Sequence, residues 1–346
     1  MASFVDKSKS VVAAADAALE SNIVVGISNE SDGRSCTDSE LQGKQSLTSL
    51  KTLQRTQIVN YIAAISHEEM NPRRRNTMED VHRIVPALRG SEAYSYFGVY
   101  DGHGGRQISD FLEETLENNI SIELQQPDNA PVLERLQRAY LITDMQSRRL
   151  NIVTSGATAV SALLHTVVDP SNSSIILSRK LYVANVGDSR AVLVSESHCA
   201  LNHLPAPTPT DSTSNIYAYR LTYDHRAEDH AEQARVIAAG GFISRGRVLG
   251  ILAVSRSFGD HGMKDFVTAD PHLTEVDLLE LNNAPMLIMA CDGLWDVFSD
   301  QEAADMLLEE YRRQGNKPFE DAAEMLVETA IDRGSADNIT AIVVFL

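Results

Sequence analysis

Two strongly apolar segments of this sequence end in the dipeptide Asp-Gly, and this repeated ending is the strongest constraint on the fold. Residues 94–100 run into Asp101-Gly102, and Met286–Ala290 leads through one cysteine to Asp292-Gly293. Aromatic, aliphatic and β-branched runs favour strands, and Asp-Gly is typical of the turn that ends a strand. One such ending indicates only a turn. Two of them, each with a further polar or acidic residue close by, predict that carboxylates gather at one edge of a sheet.

The remaining segments alternate between strand-like and helix-like patterns without a repeating βαβ rhythm. Further strands are predicted over residues 158–168, 180–186, 190–194 and 340–345, with Gly187-Asp188 as a hairpin turn between the second and third of these. Helical periodicity covers residues 107–120, 132–150, 227–239, Asp300–Arg313 and 319–333. Strands joined by tight turns favour largely antiparallel sheets, and helices then cover their outer faces, so the sequence predicts the α+β class.

The composition divides the chain into a tail and one folded domain. Residues 1–55 are rich in Ser, Thr, Asp and Ala and contain only short apolar runs, so we expect a disordered N-terminal tail. The domain is predicted to span residues 56–346, and a hydrophobic content of 43% allows it a substantial core. Residues 196–219 hold three prolines among Ser, Thr and Asn, which predicts a Pro-rich surface insertion.

The charge balance and the cysteines limit the partners and the compartment. Forty-eight Asp and Glu against 30 Lys and Arg give a net charge of -18, which repels nucleic acids and anionic membranes. An enzyme that handles phosphate with this charge needs cations. The 3 cysteines are widely spaced and form no CxxC pair, so neither a zinc site nor a disulfide framework is indicated. Together with the lack of a membrane-length apolar run, this favours a soluble intracellular protein.

Acidic residues at turns and strand ends are the candidates for chemistry. They are Glu79, Asp80, Asp101, Asp188, Asp292, Asp296 and Asp337. Carboxylates that meet in one place repel each other, and hard divalent cations coordinated by oxygen offset that repulsion. Two such cations a few ångströms apart can hold a bridging water and direct it at a phosphorus atom. Gly102 would let its own carbonyl approach a metal closely.

A histidine and an arginine complete the predicted site. His103 lies two residues from Asp101, and an imidazole that titrates near neutral pH suits a general acid for a departing alcohol. Arg73, Arg74 and Arg75 precede the acidic pair at 79–80, and a guanidinium can bind phosphate through two parallel hydrogen bonds. Because basic triplets are commonly solvated, we predict phosphate binding only for Arg75, which lies nearest to that pair.

Eight segments, in order, resemble the PP2C family of metal-dependent serine/threonine phosphatases. They are R-x-x-M-E-D at 75–80, D-G-H-G-G at 101–105, S-G-x-T-A at 155–159, N-x-G-D-S-R at 185–190, D-H at 224–225, RVLGILAVSRSFGD at 247–260, ACDGLWDV at 290–297 and D-N-I-T at 337–340. The resemblance covers nearly everything after residue 55. Residues 253–260 and 343–346 are most similar to the small fungal members that dampen stress-activated MAP kinase signalling.

This resemblance implies a fold, an activity and its partners. The fold would be a four-layer α-β-β-α sandwich of two mainly antiparallel sheets flanked by helices. The activity would be hydrolysis of phosphoserine and phosphothreonine in proteins by a water bridged between two Mg²⁺ or Mn²⁺ ions. A stress-activated MAP kinase would be among the phosphorylated protein substrates. The enzyme would be a monomer in the cytoplasm and nucleus, with no nucleic-acid or membrane partner.

The resemblance also implies a role for each site residue. Asp101 would bridge both ions, Gly102 would bind one of them through its carbonyl, and Asp292 and Asp337 would complete the shell of the other. Glu79 and Asp80 would hold metal-bound waters, and Asp188 and Asp296 would hold a weaker third ion. Arg75 would bind phosphate and His103 would be the acid. Asp260 has a turn-like setting that would suit a ligand, but the family pattern gives it no metal, so we interpret it as structural. The family's D-H-K-P reads Asp-His-Arg-Ala at 224–227, a change we expect to lie far from the metals.

Other phosphatase classes fit less well. Residues 259–262 faintly resemble a calcineurin-like motif, another two-metal hydrolase, but its companion motifs are missing. A cysteine phosphatase needs an arginine six positions after its cysteine, and none of the 3 cysteines has one. A PP2C-shaped binding module without turnover should have lost a metal ligand or the phosphate arginine. All are present, and a hydrolysis assay with and without metal separates the two readings.

Overall fold

The computed structural model of the protein describes residues 61–196, 216–281 and 284–346. The predicted tail of residues 1–55 and most of the predicted insertion lie outside these ranges. No helix within them is long and apolar enough to cross a membrane.

In the described ranges the strands are β1 (Ala63–Glu69), β2 (Val81–Val85), β3 (Tyr94–His103), β4 (Gly156–Asp169), β5 (Asn172–Val186), β6 (Arg190–Ser195), β7 (Tyr217–Arg220), β8 (Ile243–Ser244), β9 (Arg247–Val248), β10 (Phe258–Gly259), β11 (His272–Asp277), β12 (Met286–Ala290) and β13 (Ile339–Phe345). The helices are α1 (Gln107–Leu124), α2 (Val132–Ser147), α3 (His230–Ala238), α4 (Asp292–Trp295), α5 (Asp300–Arg313) and α6 (Ala322–Asp332).

Two antiparallel sheets form the centre of the domain. The first has the order β1-β13-β12-β6-β7, and the second has the order β11-β5-β4-β3-β2 with β10 paired to β4. Val160 of the second sheet and Leu287 of the first belong to one fully buried cluster between the sheets. Leu307 and Leu326 pack helices α5 and α6 onto the first sheet, and Leu112 packs α1 onto the second. The predicted four-layer α-β-β-α sandwich is therefore confirmed.

Local capping explains where two of the helices begin. Helix α5 has the predicted bounds because Ser299 and Glu302 form a capping box, in which each side chain accepts a hydrogen bond from the other residue's backbone N–H. Helix α3 begins at His230, later than predicted, because the Asp229 side chain accepts hydrogen bonds from the backbone N–H groups of Ala231 and Glu232.

The predicted hairpin at Gly187-Asp188 is wrong. Strand β5 pairs with β4 and β11, whereas β6 pairs with β12 and β7, so residues 187–189 cross from one sheet to the other. Gly187 has a φ of 88°, and a Cβ there would overlap the Thr158 side chain, so this crossing requires glycine. The crossing places Asp188 between the sheets, where a hairpin would have left it at one edge.

Two predicted boundaries also change. Strand β3 continues to His103, so Asp101 and Gly102 are strand residues paired with Thr158 and Ala157 and not a turn. The predicted surface insertion ends earlier than residue 219, because Tyr217–Arg220 pairs with β6 at the edge of the first sheet. Tyr219 is buried there, since alternate side chains of an edge strand still face the core.

Candidate active site

The acidic residues meet between the two sheets and not at the edge of one. Asp101 lies near the end of β3 in the second sheet, and Asp292 begins α4 directly after β12 of the first sheet. Strand β3 packs against β12 and β13, which brings the two Asp-Gly dipeptides to facing positions. Asp80 and Asp337 precede β2 and β13, and both add charge to the same cluster.

This cluster has more negative charge than its surroundings neutralise. Loss of water contact and then the nearby Asp292 raise the pKa of Asp101 well above its ordinary value. Loss of water contact, followed by the charges of Asp188 and Asp296, does the same to the pKa of Asp292. Burial raises the pKa of Asp80 to about 6, although the Cys291 thiol and Thr340 hydroxyl beside it act in the opposite direction. The cluster therefore favours bound cations or protons.

The donor set fits hard divalent cations. The Asp80 Oδ2 atom is buried without a well-formed hydrogen bond, so a buried oxygen is left to be satisfied. At Gly102 a Cβ would stand 2.5 Å from the Glu79 carbonyl oxygen, so only glycine allows the backbone to lie so close. In the described ranges no three Asp, Glu, His or Cys side chains are grouped so that they could hold a metal ion by themselves, so other oxygen ligands would have to complete the shell. Carboxylates with the Gly102 carbonyl and water would hold Mg²⁺ or Mn²⁺.

Asn338 fixes the loop that carries Glu79 and Asp80. Its Oδ1 accepts a hydrogen bond from Glu79 N at 2.9 Å, and its Nδ2 donates to the carbonyls of Met70 and Thr77 at 2.8 and 2.9 Å. The Glu79 Oε2 atom in turn accepts a hydrogen bond from Gly105 N at 3.2 Å. The sequence does not single out Asn338, and its position directly after the predicted ligand Asp337 is the signal that points to it.

Arg75 and Asp337 form an ion pair at the rim of the cluster. The Arg75 Nη2 atom contacts Asp337 Oδ2, and its Nε lies 3.4 Å from the Ala336 carbonyl oxygen. Both side chains are partly exposed, at 48% and 34%. The structure thus brings the predicted phosphate ligand and a predicted metal ligand together. For Arg75 to bind phosphate and Asp337 to bind metal, this contact has to open.

His103 is the last residue of β3, and its ring contacts Asp260. The His103 Nε2 and Asp260 Oδ2 atoms are 2.8 Å apart, and the two side chains are 28% and 5% exposed. Asp260 is not among the largest influences on the pKa of Asp101 or of Asp292. Its only charged contact with the predicted site, among the described residues, is the one to His103.

The two residues predicted to hold a third ion are already paired with an arginine. Arg226 Nη2 lies 2.6 Å from Asp296 Oδ1, and its Nε lies 3.2 Å from Asp188 Oδ2 without the alignment of a hydrogen bond. Burial raises the pKa of Asp188 to about 6, and Arg226 opposes that shift. We expected the change at residue 226 to lie far from the metals. This expectation is wrong, because the Arg226 guanidinium contacts both Asp188 and Asp296, which were predicted to hold the third ion. Arg226 therefore already supplies a positive charge at the carboxylates predicted to hold a third ion.

A buried carboxylate cluster that needs divalent cations, with a partly exposed arginine and histidine beside it, fits an enzyme that hydrolyses phosphate esters. The comparisons with known proteins specify that class. Residues 65–339 match the family Protein phosphatase 2C. Protein phosphatase 2C homolog 1 of Saccharomyces cerevisiae is 36% identical over 284 residues, covering 81% of this chain and 92% of that protein.

Two further similarities agree with that match. Protein phosphatase 2C homolog 1 of Schizosaccharomyces pombe is 33% identical over 288 residues, covering 83% of this chain and 74% of that protein. The crystal structure of serine-threonine phosphatase 2C from Toxoplasma gondii has a TM-score of 0.62 at 21% identity, covering 82% of this chain and 94% of that one. The last similarity shows the fold alone. The chain belongs to the protein phosphatase 2C family, and it is a metal-dependent protein serine/threonine phosphatase.

Proposed function

We propose that this enzyme removes phosphate from phosphoserine and phosphothreonine with two Mg²⁺ or Mn²⁺ ions held at Asp101. The observation that supports this most directly is the group formed by Asp80, Asp101 and Asp292. Their pKa values are all raised, and no arginine or lysine in the described ranges pairs with any of the three. Divalent cations are the charges that such an oxygen-only cluster prefers.

The chain's own residues supply binding and proton transfer. Bound cations supply the positive charge that activates the attacking water and stabilises the phosphate. Arg75, on leaving Asp337, binds two phosphate oxygens through its guanidinium. As the bond from phosphorus to the serine or threonine oxygen breaks, the electron pair stays on that oxygen and His103 gives it a proton. The attacking water loses one proton to solvent, and His103, left neutral by its transfer, takes up a proton from solvent before the next turnover.

The pairing at Asp188 bears on whether a third ion binds. Arg226 already provides a cation to Asp188 and Asp296. We therefore infer that two ions bind in the catalytic cluster and that a third binds only more weakly, after the guanidinium has moved away.

The proposed biological role is to damp a stress-activated MAP kinase pathway. Its support is the similarity to two fungal proteins named Protein phosphatase 2C homolog 1 and the segments at 253–260 and 343–346. We also propose that the enzyme is a monomer of the cytoplasm and nucleus. The net charge of -18 supports the monomer and disfavours nucleic acids and anionic membranes as partners. Phosphoproteomics after deletion of the gene should show increased phosphothreonine on a MAP kinase; no change on such kinases would contradict the pathway.

The enzymatic proposal is tested with a phosphothreonine peptide. Hydrolysis should require Mn²⁺ or Mg²⁺, stop on addition of EDTA and return when metal is restored. Activity that persists in EDTA would contradict the metal site. A protein that binds two ions but releases no phosphate would support the binding module without turnover.

A further inference from the structure

Asp260 occupies a built position behind His103. Strand β4 separates the two residues in the sheet, since Gly156 pairs with His103 on one side and with Gly259 on the other. The Asp260 carboxylate reaches across Gly156 to the imidazole, with Oδ2 at 2.8 Å from Nε2. A Cβ at residue 156 would overlap both of these atoms, so a glycine is required between them. The glycine in strand β4 therefore provides the space in which the Asp260 carboxylate reaches the His103 ring.

The turn that carries Asp260 is held in place independently of His103. Asp260 has a φ of 47°, a left-handed conformation that is uncommon outside glycine, and its N–H donates to the Ser155 carbonyl oxygen at 3.2 Å. The Ser257 hydroxyl donates to Asp260 Oδ2 at 2.5 Å. Asp144 accepts a hydrogen bond from Gly259 N at 2.9 Å and forms an ion pair with Lys264, also at 2.9 Å. A carboxylate held this firmly can fix a partner.

We propose that Asp260 is the positioning residue for His103, holding Nε2 so that Nδ1 is the nitrogen presented to the leaving group. A carboxylate oxygen can only accept a hydrogen bond, so the hydrogen lies on Nε2 and the other ring nitrogen is left for the substrate. Carboxylates that accept from the second nitrogen of a functional histidine fix its tautomer and orientation in the same way. This inference rests on the proposed role of His103 as the acid.

The proton step makes this role measurable without reference to pH. A threonine oxygen leaves as a poorly stable alkoxide unless it receives the proton of His103, whereas the nitrophenolate of p-nitrophenyl phosphate leaves as a stable anion. A residue that acts through His103 must slow only the first substrate. A residue that merely supports the turn would slow both substrates equally, or neither.

The test compares kcat on a phosphothreonine peptide and on p-nitrophenyl phosphate for four variants of the full chain. Asp260→Gly keeps the left-handed turn but removes the carboxylate, and should lower kcat on the peptide about tenfold or more with little effect on the aryl ester. Asp260→Asn retains an acceptor oxygen and should recover part of that loss. His103→Gln should lower kcat on the peptide about 100-fold. The double variant Asp260→Gly/His103→Gln should be no slower than His103→Gln.

Asp144→Asn is the matched control, because Asp144 holds the same turn without touching His103. It should leave the ratio of the two kcat values unchanged, and calorimetric Mn²⁺ binding should be unchanged in all variants. Gly156→Ala inserts a methyl group between Asp260 and His103, so it should lower kcat on the peptide selectively in the same way. It serves as the second test if Asp260→Gly folds poorly.

Two results would overturn the inference, and they are distinguishable. If His103→Gln is selective for the peptide but Asp260→Gly and Gly156→Ala are not, Asp260 does not position His103. If His103→Gln itself slows both substrates equally, the acid role fails and the positioning role fails with it.

Discussion

Single carboxylates in this protein differ in function because of the charges beside them. Asp101 faces Asp292 and other carboxylates, and its pKa is raised well above the ordinary value by loss of water contact. Glu232 faces Arg256 and Ser255 in a buried network. Burial alone would raise its pKa, but these hydrogen bonds lower it to about 2. The negative charge around Asp101 therefore requires an external cation, whereas the charge of Glu232 is neutralised by groups of the chain itself.

Asp101→Asn should abolish activity and metal binding together. Asparagine keeps the volume of the side chain but removes the charge that the ions share, so we expect kcat to fall at least ~100-fold. Steady-state kinetics and calorimetric titration with Mn²⁺ measure the two effects. Asp265→Asn, at an exposed position, is the control and should change neither. A variant that binds Mn²⁺ like the natural protein would exclude Asp101 as the shared ligand.

Arg75 is the member of its basic triplet that should bind phosphate. Arg75→Lys keeps the charge but loses the planar pair of donors, so kcat/KM for the peptide should fall about tenfold. Competitive inhibition by inorganic phosphate should weaken by a similar factor. Arg74→Ala removes the neighbouring exposed arginine and should have little effect. Equal losses for Arg74→Ala and Arg75→Lys would mean that the triplet acts only through its net charge.

The elements show what the sequence could and could not predict. Met286–Ala290 and Asp300–Arg313 have the predicted bounds, because one is a short buried run and the other has its own cap and periodicity. The hairpin at Gly187-Asp188 was wrong because strand pairing is non-local, and a glycine before an aspartate suits a crossing between sheets as well as a hairpin. The cluster was predicted from its residue types. The Asp260–His103 and Arg226–Asp188 contacts were not, since they join segments far apart in sequence.

The loop between β7 and α3 places the Arg226 guanidinium beside Asp188 and Asp296, where the third ion is predicted to bind. Removing this guanidinium should increase the affinity for that ion. Arg226→Gln leaves Asp188 and Asp296 unpaired, so a weak third Mn²⁺ should bind about tenfold more tightly, because loss of a nearby unit charge is worth on the order of 1 kcal/mol at a partly exposed site. Calorimetric titration measures this directly. Arg89→Gln, an exposed arginine with no such contact, is the control. Unchanged affinity in Arg226→Gln would show that the guanidinium does not compete with the ion.

Across the whole molecule, the same cluster should make the metal-free protein less stable as pH rises. The pKa of Asp80 is about 6 in the folded state against 3.8 for an ordinary aspartate, so the folded state binds more protons than the unfolded chain between these values. The free energy of unfolding should therefore fall as pH rises from about 4 to 6. The loss of stability for the cluster that includes Asp80 should be on the order of a few kcal/mol above pH 6.

Thermal denaturation in EDTA at pH 5 and at pH 7.5 tests this expectation. The melting temperature should be lower at pH 7.5, and Mn²⁺ should restore it because the ions replace the missing protons. The net charge of -18 acts in the same direction, so the matched pair Asp80→Asn and Glu328→Gln separates the two causes. Each removes one negative charge, but only Asp80→Asn should stabilise the metal-free protein strongly at pH 7.5. Equal stabilisation by the two substitutions would assign the pH dependence to overall charge, and repulsion within the carboxylate cluster would then not be its cause.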